Sequence, residues 1–140
     1  MTITEAFKRY NAFLKNIDLS ICAENSDEEL VIRLWGHCIT KLSDNTIRYK
    51  DHIPRWSGPG NYELSLALDK AKETNQVIRA VIAYSENLEK VKNGQDASRF
   101  KNNYLVPENW VGTLEFWDGN NYEIKFRFLA PFSEQFDSVH

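Results

Sequence analysis

One stretch of the chain combines side chains that could hold an anion and a flat ring: Arg55-Trp56-Ser57-Gly58-Pro59-Gly60-Asn61. Backbone amides that open a helix bind anions, and a tryptophan beside an arginine can hold an aromatic ligand against a cation. The glycine spacing fits neither a phosphate loop nor a dinucleotide fingerprint, and Ser57 is not in a hydrolase nucleophile elbow. The stretch therefore predicts binding rather than catalysis, although Gly58-Pro59-Gly60 alone is typical of a tight turn into a helix.

Aromatic and cationic residues elsewhere in the chain extend this pattern. Trp35 is expected at a strand end or on an outer face, and Lys101 in a loop. Single-stranded or flipped bases are held by aromatic rings interleaved with cations, and an anionic aromatic metabolite would suit the same side chains. The ligand-binding residues predicted from this pattern are Arg55, Trp56, Ser57, Gly58, Arg99 and Trp110.

Charge is spread unevenly along the chain, although the formal net charge is −3. Residues 33–60 carry five cations against two carboxylates, whereas residues 1–32 and 104–140 have net charges of −3 and −4. A basic patch inside an acidic chain predicts one anion-binding face. Its residues are Arg33, Lys41, Arg48 and Lys50. A mixture of surface charges that only aids solubility is the alternative interpretation.

The register of the first predicted hairpin gives this face a physical basis. Pairing Ser43 with Thr46 across a two-residue turn places Lys41 opposite Arg48. Like charges directly opposite each other destabilise a strand pair, and an anion lying across the face would relieve the repulsion. Solvation of the long side chains, or neutralisation by Asp51 or another acid, would relieve it as well, so both interpretations stay open.

The sequence gives little support for metal binding or for catalysis. His37 and Cys38 are adjacent on a predicted strand, so their side chains point to opposite faces and cannot easily share one metal. Asp51 and His52 form a candidate acid–base pair, but adjacency in sequence does not establish geometry. We therefore expect no metal and no cofactor.

Length and composition predict a single α+β domain over residues 1–140. No apolar run approaches the ~20 residues that span a bilayer, and the polar N-terminus predicts no secretory signal. The two cysteines, Cys22 and Cys38, are fewer than a small secreted scaffold usually carries. We expect reduced thiols in a cytoplasmic protein without membrane contact.

Hydrophobic periodicity predicts a mixed, mostly antiparallel, curved sheet of about five strands with two main helices. Apolar residues at helical spacing predict a first helix over residues 3–17, capped by Thr2 or Thr4, and we expect it to pack on the sheet. A strand over residues 30–42 then turns into a second strand over residues 46–50. In that hairpin the core-facing side chains of the two strands are expected to pair, with Leu42 opposite Ile47.

The second half of the chain predicts a helix, a central strand and a final hairpin. The helix starts at Gly60-Asn61, ends near Asn75 and buries Leu64, Leu68 and Ala71. The strand at residues 77–84 is apolar on both faces, which is typical of a covered central strand.

Residues 85–109 are irregular, and the tail after Pro131 is expected to be loose. The last hairpin is predicted to place Phe116 opposite Ile124 and Glu115 opposite Lys125.

The order of these elements and motifs resembles the PUA-like and SRA-type β-rich domains of bacterial proteins that recognise modified DNA. The motifs that carry the resemblance are the segment 55–60, then Ala97-Ser98-Arg99, then Pro107-Glu108-Asn109-Trp110 before the last hairpin, within residues 30–128. The resemblance implies a base-binding pocket bordered by Trp56, Ser57, Arg99 and Trp110. The chain differs from that setting because it has no nuclease motif and is acidic overall.

Three function hypotheses follow. The first is a non-catalytic module that binds DNA or RNA, through a modified or flipped base. The second is a protein-interaction module, such as an immunity protein or a regulatory subunit, whose acidic ends meet a basic partner and whose Phe7 and Tyr10 contact it. The third is a small-molecule enzyme that uses Asp51 and His52. The oligomeric state is not predicted.

Overall fold

The computed structural model describes residues 1–17, 19–53, 59–85 and 102–129. In these ranges the chain forms two α-helices, α1 (Ile3–Lys8) and α2 (Pro59–Thr74), and a 3-10 turn at Gly36–Cys38. The strands are β1 (Cys22–Glu24), β2 (Leu30–Trp35), β3 (Ile39–Ser43), β4 (Thr46–His52), β5 (Ile78–Ser85), β6 (Asn102–Leu105), β7 (Trp110–Trp117) and β8 (Asn121–Phe128). The predicted α+β class is confirmed, but the sheet has eight strands rather than five.

All eight strands belong to one sheet with the order β1-β2-β5-β7-β8-β4-β3, and β6 pairs with β5. Among the described strands only β2 and β5 are parallel, and the connection between them contains α2. Three strands were not expected as separate elements. β1 and β6 are short segments without a strong alternation of apolar residues, and β3 was predicted to be the continuation of β2.

The break between β2 and β3 occurs where the backbone closely approaches an aromatic ring. A Cβ atom added to Gly36 would lie 2.2 Å from the Tyr84 ring, so glycine allows this close approach and a larger residue would displace the ring. The chain then crosses from β2 to the far edge of the strand order. Four strand positions separate β2 from β4, which is about 19 Å in a flat sheet. The amide of Trp35 nevertheless donates to Oη of Tyr49 at 3.1 Å, so the sheet curls.

Helix α1 ends at Lys8 instead of residue 17. Its start is as predicted, because Thr2 caps it in a capping box with Glu5. Asn11 has a φ of 60°, and Ala12 then forms an isolated bridge, so the chain leaves the helical path early. Short-range periodicity could not show this change of direction.

The helical segment packs on the sheet as expected, so Phe7 and Tyr10, which the protein-interaction hypothesis assigns to a partner, belong to the core. Phe7 and Tyr10 are 0% and 6% exposed and pack with Val31 and Val81 on one face of β2 and β5. They are therefore unavailable to a partner protein. Phe13, which follows them, is 66% exposed instead.

Helix α2 covers the other face of the central strands. Leu64, Leu68 and Ala71 are buried there, as predicted. The helix begins at Pro59, so Asn61 lies inside its first turn rather than at its cap. It ends next to Asn75, whose φ of 52° is left-handed.

The register of the first hairpin differs from the prediction by one residue. Ser43 pairs with Thr46 as expected, but a bulge follows, so Lys41 faces Ile47 and Thr40 faces Arg48. The predicted pairing of Lys41 with Arg48 is therefore wrong. Bulges add one unpaired residue without changing the apolar composition of a strand.

The last hairpin also contains a bulge. Leu114, not Phe116, lies opposite Ile124, and Phe116 faces Glu123. Lys125 consequently faces Thr113, so the predicted pairing of Glu115 with Lys125 is wrong. No described helix is long and apolar enough to cross a membrane.

Candidate anion-binding site at the end of β2

Most of the predicted ligand pocket, namely Arg55, Trp56, Ser57, Gly58 and Arg99, lies outside the described residues. Trp110 is described and begins β7, where its ring stacks on Phe128 with centroids 5.0 Å apart and contacts Phe126 at 5.7 Å. These contacts make Trp110 part of the edge of the hydrophobic core.

The four cations of the predicted anion-binding face have different surroundings. Lys41 is 3.8 Å from Asp44 at the hairpin edge. Arg48 lies between Glu115 and Glu123 at 3.9 and 3.6 Å, and Glu123 is also 4.0 Å from Lys50, its cross-strand neighbour. Neighbouring acids thus partly neutralise three of the four predicted cations.

The exposed surface of β4 and β8 nevertheless keeps an excess of positive charge. Arg48 stands directly opposite Lys125, which is a like-charged cross-strand pair. Lys125 and Arg127 are exposed, and neither forms an ion pair with any residue that the structure describes. We call Arg48, Lys50, Lys125 and Arg127 the outer basic face.

Sequence reasoning missed two members of this face. Lys125 and Arg127 alternate with apolar residues, so their exposure was predicted. Their position beside Arg48 was not, because the β4–β8 pairing joins segments about 75 residues apart and has no local signal.

Arg33 differs from the other predicted cations because it forms no salt bridge in the described part of the chain. Its guanidinium carbon lies 4.6 Å from the centroid of the Trp35 ring. The Trp35 ring in turn stacks with His37, at a centroid distance of 6.2 Å and an interplanar angle of 29°. We call these three residues the Arg33 corner.

The guanidinium of Arg33 is incompletely satisfied. Its Nε atom is buried and has no hydrogen-bond partner among the described residues. Burial lowers the pKa of Arg33, and the nearby groups of Tyr49, Tyr104, Tyr122 and Asp51 oppose this effect only in part. An anion bound at this corner would therefore gain a charge-assisted interaction with the guanidinium.

A buried tyrosine connects the corner to the end of β4. Oη of Tyr49 accepts a hydrogen bond from the amide of Trp35 and donates one to Oδ2 of Asp51 at 2.6 Å. Burial raises the pKa of Tyr49 well above its ordinary value, so its phenol stays protonated and acts as a donor. This network fixes the backbone at Trp35, which positions the indole beside Arg33.

Asp51 and His52 do lie in contact. Nδ1 of His52 is 3.7 Å from Oδ1 of Asp51, and the same oxygen accepts the backbone amide of His52. The second oxygen of Asp51 is bonded to Tyr49. Both carboxylate oxygens therefore have structural partners. The geometry brings no further catalytic group to this pair in support of the enzyme hypothesis.

Neither cysteine forms a disulfide. Cys22 is buried, and burial raises the pKa of its thiol to about 12, so it stays protonated at neutral pH. Cys38 is half-buried. In the described ranges, no group of three histidine, cysteine, aspartate or glutamate side chains could hold a metal ion.

Comparisons of the chain with protein-family models, with curated proteins and with solved structures found no match. We therefore infer the function from the side chains described above.

Proposed function

We propose that this protein is a non-catalytic module that binds nucleic acid. In this proposal the Arg33 corner receives a phosphate or an unpaired base, and the outer basic face contacts the phosphate backbone. The observation that carries the proposal is the Arg33 guanidinium, which stacks on Trp35 and forms no salt bridge with any described residue. Arginine beside an aromatic ring is a common arrangement for holding a base or a phosphate.

The charge distribution supports a polyanionic ligand. The outer basic face keeps two exposed cations, Lys125 and Arg127, without ion pairs in the described structure, although the whole chain has a net charge of −3. Cations that are not neutralised internally are free to contact phosphates. The likeness of the motifs to PUA-like and SRA-type domains supports a modified base as the preferred ligand, in a cytoplasmic bacterial protein.

Fluorescence anisotropy with labelled oligonucleotides tests this function. The panel contains single- and double-stranded DNA, RNA, and duplexes with modified cytosine, each at two salt concentrations. We expect Arg33→Met to weaken binding about tenfold, as for loss of a charge-assisted hydrogen bond. Lys41→Met removes an exposed cation that already lies near Asp44, and it is expected to change affinity less than about twofold.

The outcomes separate the alternatives. Salt-dependent binding that Arg33→Met weakens, with a preference for one modification, supports a base-reading site. Equal binding by the wild type and Arg33→Met would remove the Arg33 corner from the proposal. No binding to any oligonucleotide at low salt would contradict a nucleic-acid function.

A further inference from the structure

A groove lies between the segment that follows α1 and the first turns of α2. It has a volume of about 390 Å³, and its lining includes Asn16, Leu19, Ser20, Tyr62, Glu63 and Leu66. The two walls are tightly joined, because a Cβ atom at Gly60 would lie 2.0 Å from the carbonyl oxygen of Leu19. We call this feature the Glu63 groove.

The rim of the Glu63 groove is unusually apolar for a surface. Tyr62 and Leu66 are one helical turn apart on α2 and are 69% and 51% exposed. Leu19 faces them across the groove and is 42% exposed. A concentration of exposed apolar side chains in one concave region marks a binding surface more often than scattered exposure does.

Glu63 supplies a polar group in the groove. Its Oε1 atom is buried and has no hydrogen-bond partner in the part of the chain that the structure describes. A buried carboxylate oxygen without a donor is unfavourable. Glu63 also lines a second cleft of about 270 Å³, which continues past Phe13 and Ala67, so it stands where the two clefts meet.

The missing partner of Glu63 is a hydrogen-bond donor, and a cation would satisfy the carboxylate best. Lys15 lines both clefts, but it forms no ion pair with Glu63 or with another described residue. Residues 1–32, which supply one wall of the groove, have a net charge of −3, which favours a positively charged ligand.

We propose that the Glu63 groove binds a peptide segment of a partner protein, in which a lysine or arginine lies between apolar residues. The basic side chain donates to Oε1 of Glu63, and its apolar neighbours pack on Leu19, Tyr62 and Leu66. This inference goes beyond the nucleic-acid function, because it concerns a different surface and a different class of ligand.

NMR titration of the full chain with two synthetic peptides tests the proposal. The first is the capped heptapeptide Gly-Leu-Phe-Lys-Leu-Phe-Gly, and the second has norleucine in place of lysine. We expect the lysine peptide to bind about tenfold more tightly, with amide shifts at Leu19, Tyr62 and Leu66. Equal affinities, shifts elsewhere on the protein, or no shift at a peptide concentration of about 5 mM would each overturn the proposal.

Three variants test whether Glu63, rather than a neighbouring residue, recognises the lysine of the peptide. Glu63→Gln should abolish the difference between the peptides, whereas Glu73→Gln, an exposed change near the other end of α2, should preserve it. Lys15→Met should keep or raise the affinity because it removes a competing cation; an equal loss in Lys15→Met and Glu63→Gln would contradict the assignment. The comparison of the two peptides on the wild type remains decisive if a variant does not fold. Arg33→Met should not affect peptide binding, so the two proposals can fail separately.

Discussion

Arg33 stacks on Trp35, two residues further along β2, with 4.6 Å between the guanidinium carbon and the ring centroid. Alternate residues of a strand share a face. Arg79, on the neighbouring strand β5, also lies over a ring, that of Tyr10 at 5.1 Å. Arg79 has Glu29 at 3.8 Å and donates to the carbonyl oxygen of Glu108, whereas Arg33 has no comparable partner in the described structure. Neighbouring polar groups therefore balance the charge of Arg79 more completely than that of Arg33.

This difference predicts opposite effects on stability. Arg33→Met replaces a half-buried arginine, whose Nε atom has no hydrogen-bond partner in the described structure, with an apolar chain of similar length, so we expect the free energy of unfolding to stay constant or rise by up to about 1 kcal/mol. Arg79→Met breaks an ion pair and a hydrogen bond, and we expect a loss of about 1 to 3 kcal/mol. Urea denaturation followed by circular dichroism measures both values. A loss of more than about 1 kcal/mol in Arg33→Met would show that the charge is satisfied in the free protein.

The elements and the core were predictable where local patterns decide them. The apolar positions of α2, the central position of β5, and the inward direction of Ile47 and Tyr49 all follow from periodicity. The capping box of α1 is likewise encoded in Thr2 and Glu5. Each of these features depends on residues only a few positions apart.

The features that were predicted wrongly depend on distant contacts. The strand breaks at Gly36, which lies against the Tyr84 ring of a distant strand, and the β4–β8 pairing places Lys125 beside Arg48. Bulges shifted both hairpins by one residue, which changed every charge pair derived from an unbroken register. Arg33 was found as a cation, but the side chains around it come from several strands and could not be predicted.

The outer basic face predicts a specific salt dependence. Lys125→Gln/Arg127→Gln removes two cations that have no ion pairs in the described structure. We expect the slope of log affinity against log salt to become shallower by about 2, because each phosphate that is no longer neutralised changes the slope by about 1. Lys41→Gln, which removes an exposed cation that pairs with Ile47 and lies near Asp44, is the control. An unchanged slope in the double variant would place nucleic acid elsewhere on the protein.

The same double variant should not destabilise the fold. Removing Lys125 relieves its repulsion with Arg48, so the free energy of unfolding should stay constant or rise by about 0.2 to 1 kcal/mol. Thermal denaturation measures this change. A clear decrease in stability would show that these cations have structural partners.

Tyr49 should be important for stability because its hydroxyl has two partners. Tyr49→Phe leaves the amide of Trp35 without its acceptor and Asp51 without a donor. We expect a loss of about 1 to 3 kcal/mol in urea denaturation. Tyr62→Phe changes a 69% exposed tyrosine and should alter stability by less than about 0.5 kcal/mol. Equal stabilities of Tyr49→Phe and the wild type would mean that water replaces both hydrogen bonds.

The buried tyrosines predict a loss of stability at alkaline pH. Burial raises the pKa of Tyr10 from 10.0 to about 12 and raises that of Tyr122 well above its ordinary value. The folded protein therefore holds protons that the unfolded chain releases above about pH 10, so the free energy of unfolding is constant below about pH 10 and falls above it. Between its pKa in the unfolded chain and its pKa in the folded protein, each such tyrosine lowers the free energy of unfolding by about 1.4 kcal/mol per pH unit. For Tyr10 the fall is complete at about pH 12.

Urea denaturation from about pH 8 to about pH 11.5 measures this fall. Tyr10→Phe lowers stability at about pH 8, because Tyr10 donates to the carbonyl oxygen of Ala80. Because the variant has one titrating tyrosine fewer, its free energy of unfolding should fall less steeply with pH above about pH 10. A free energy of unfolding that stays constant up to about pH 11.5 in the wild type would mean that these phenols ionise as easily in the folded protein as in the unfolded chain.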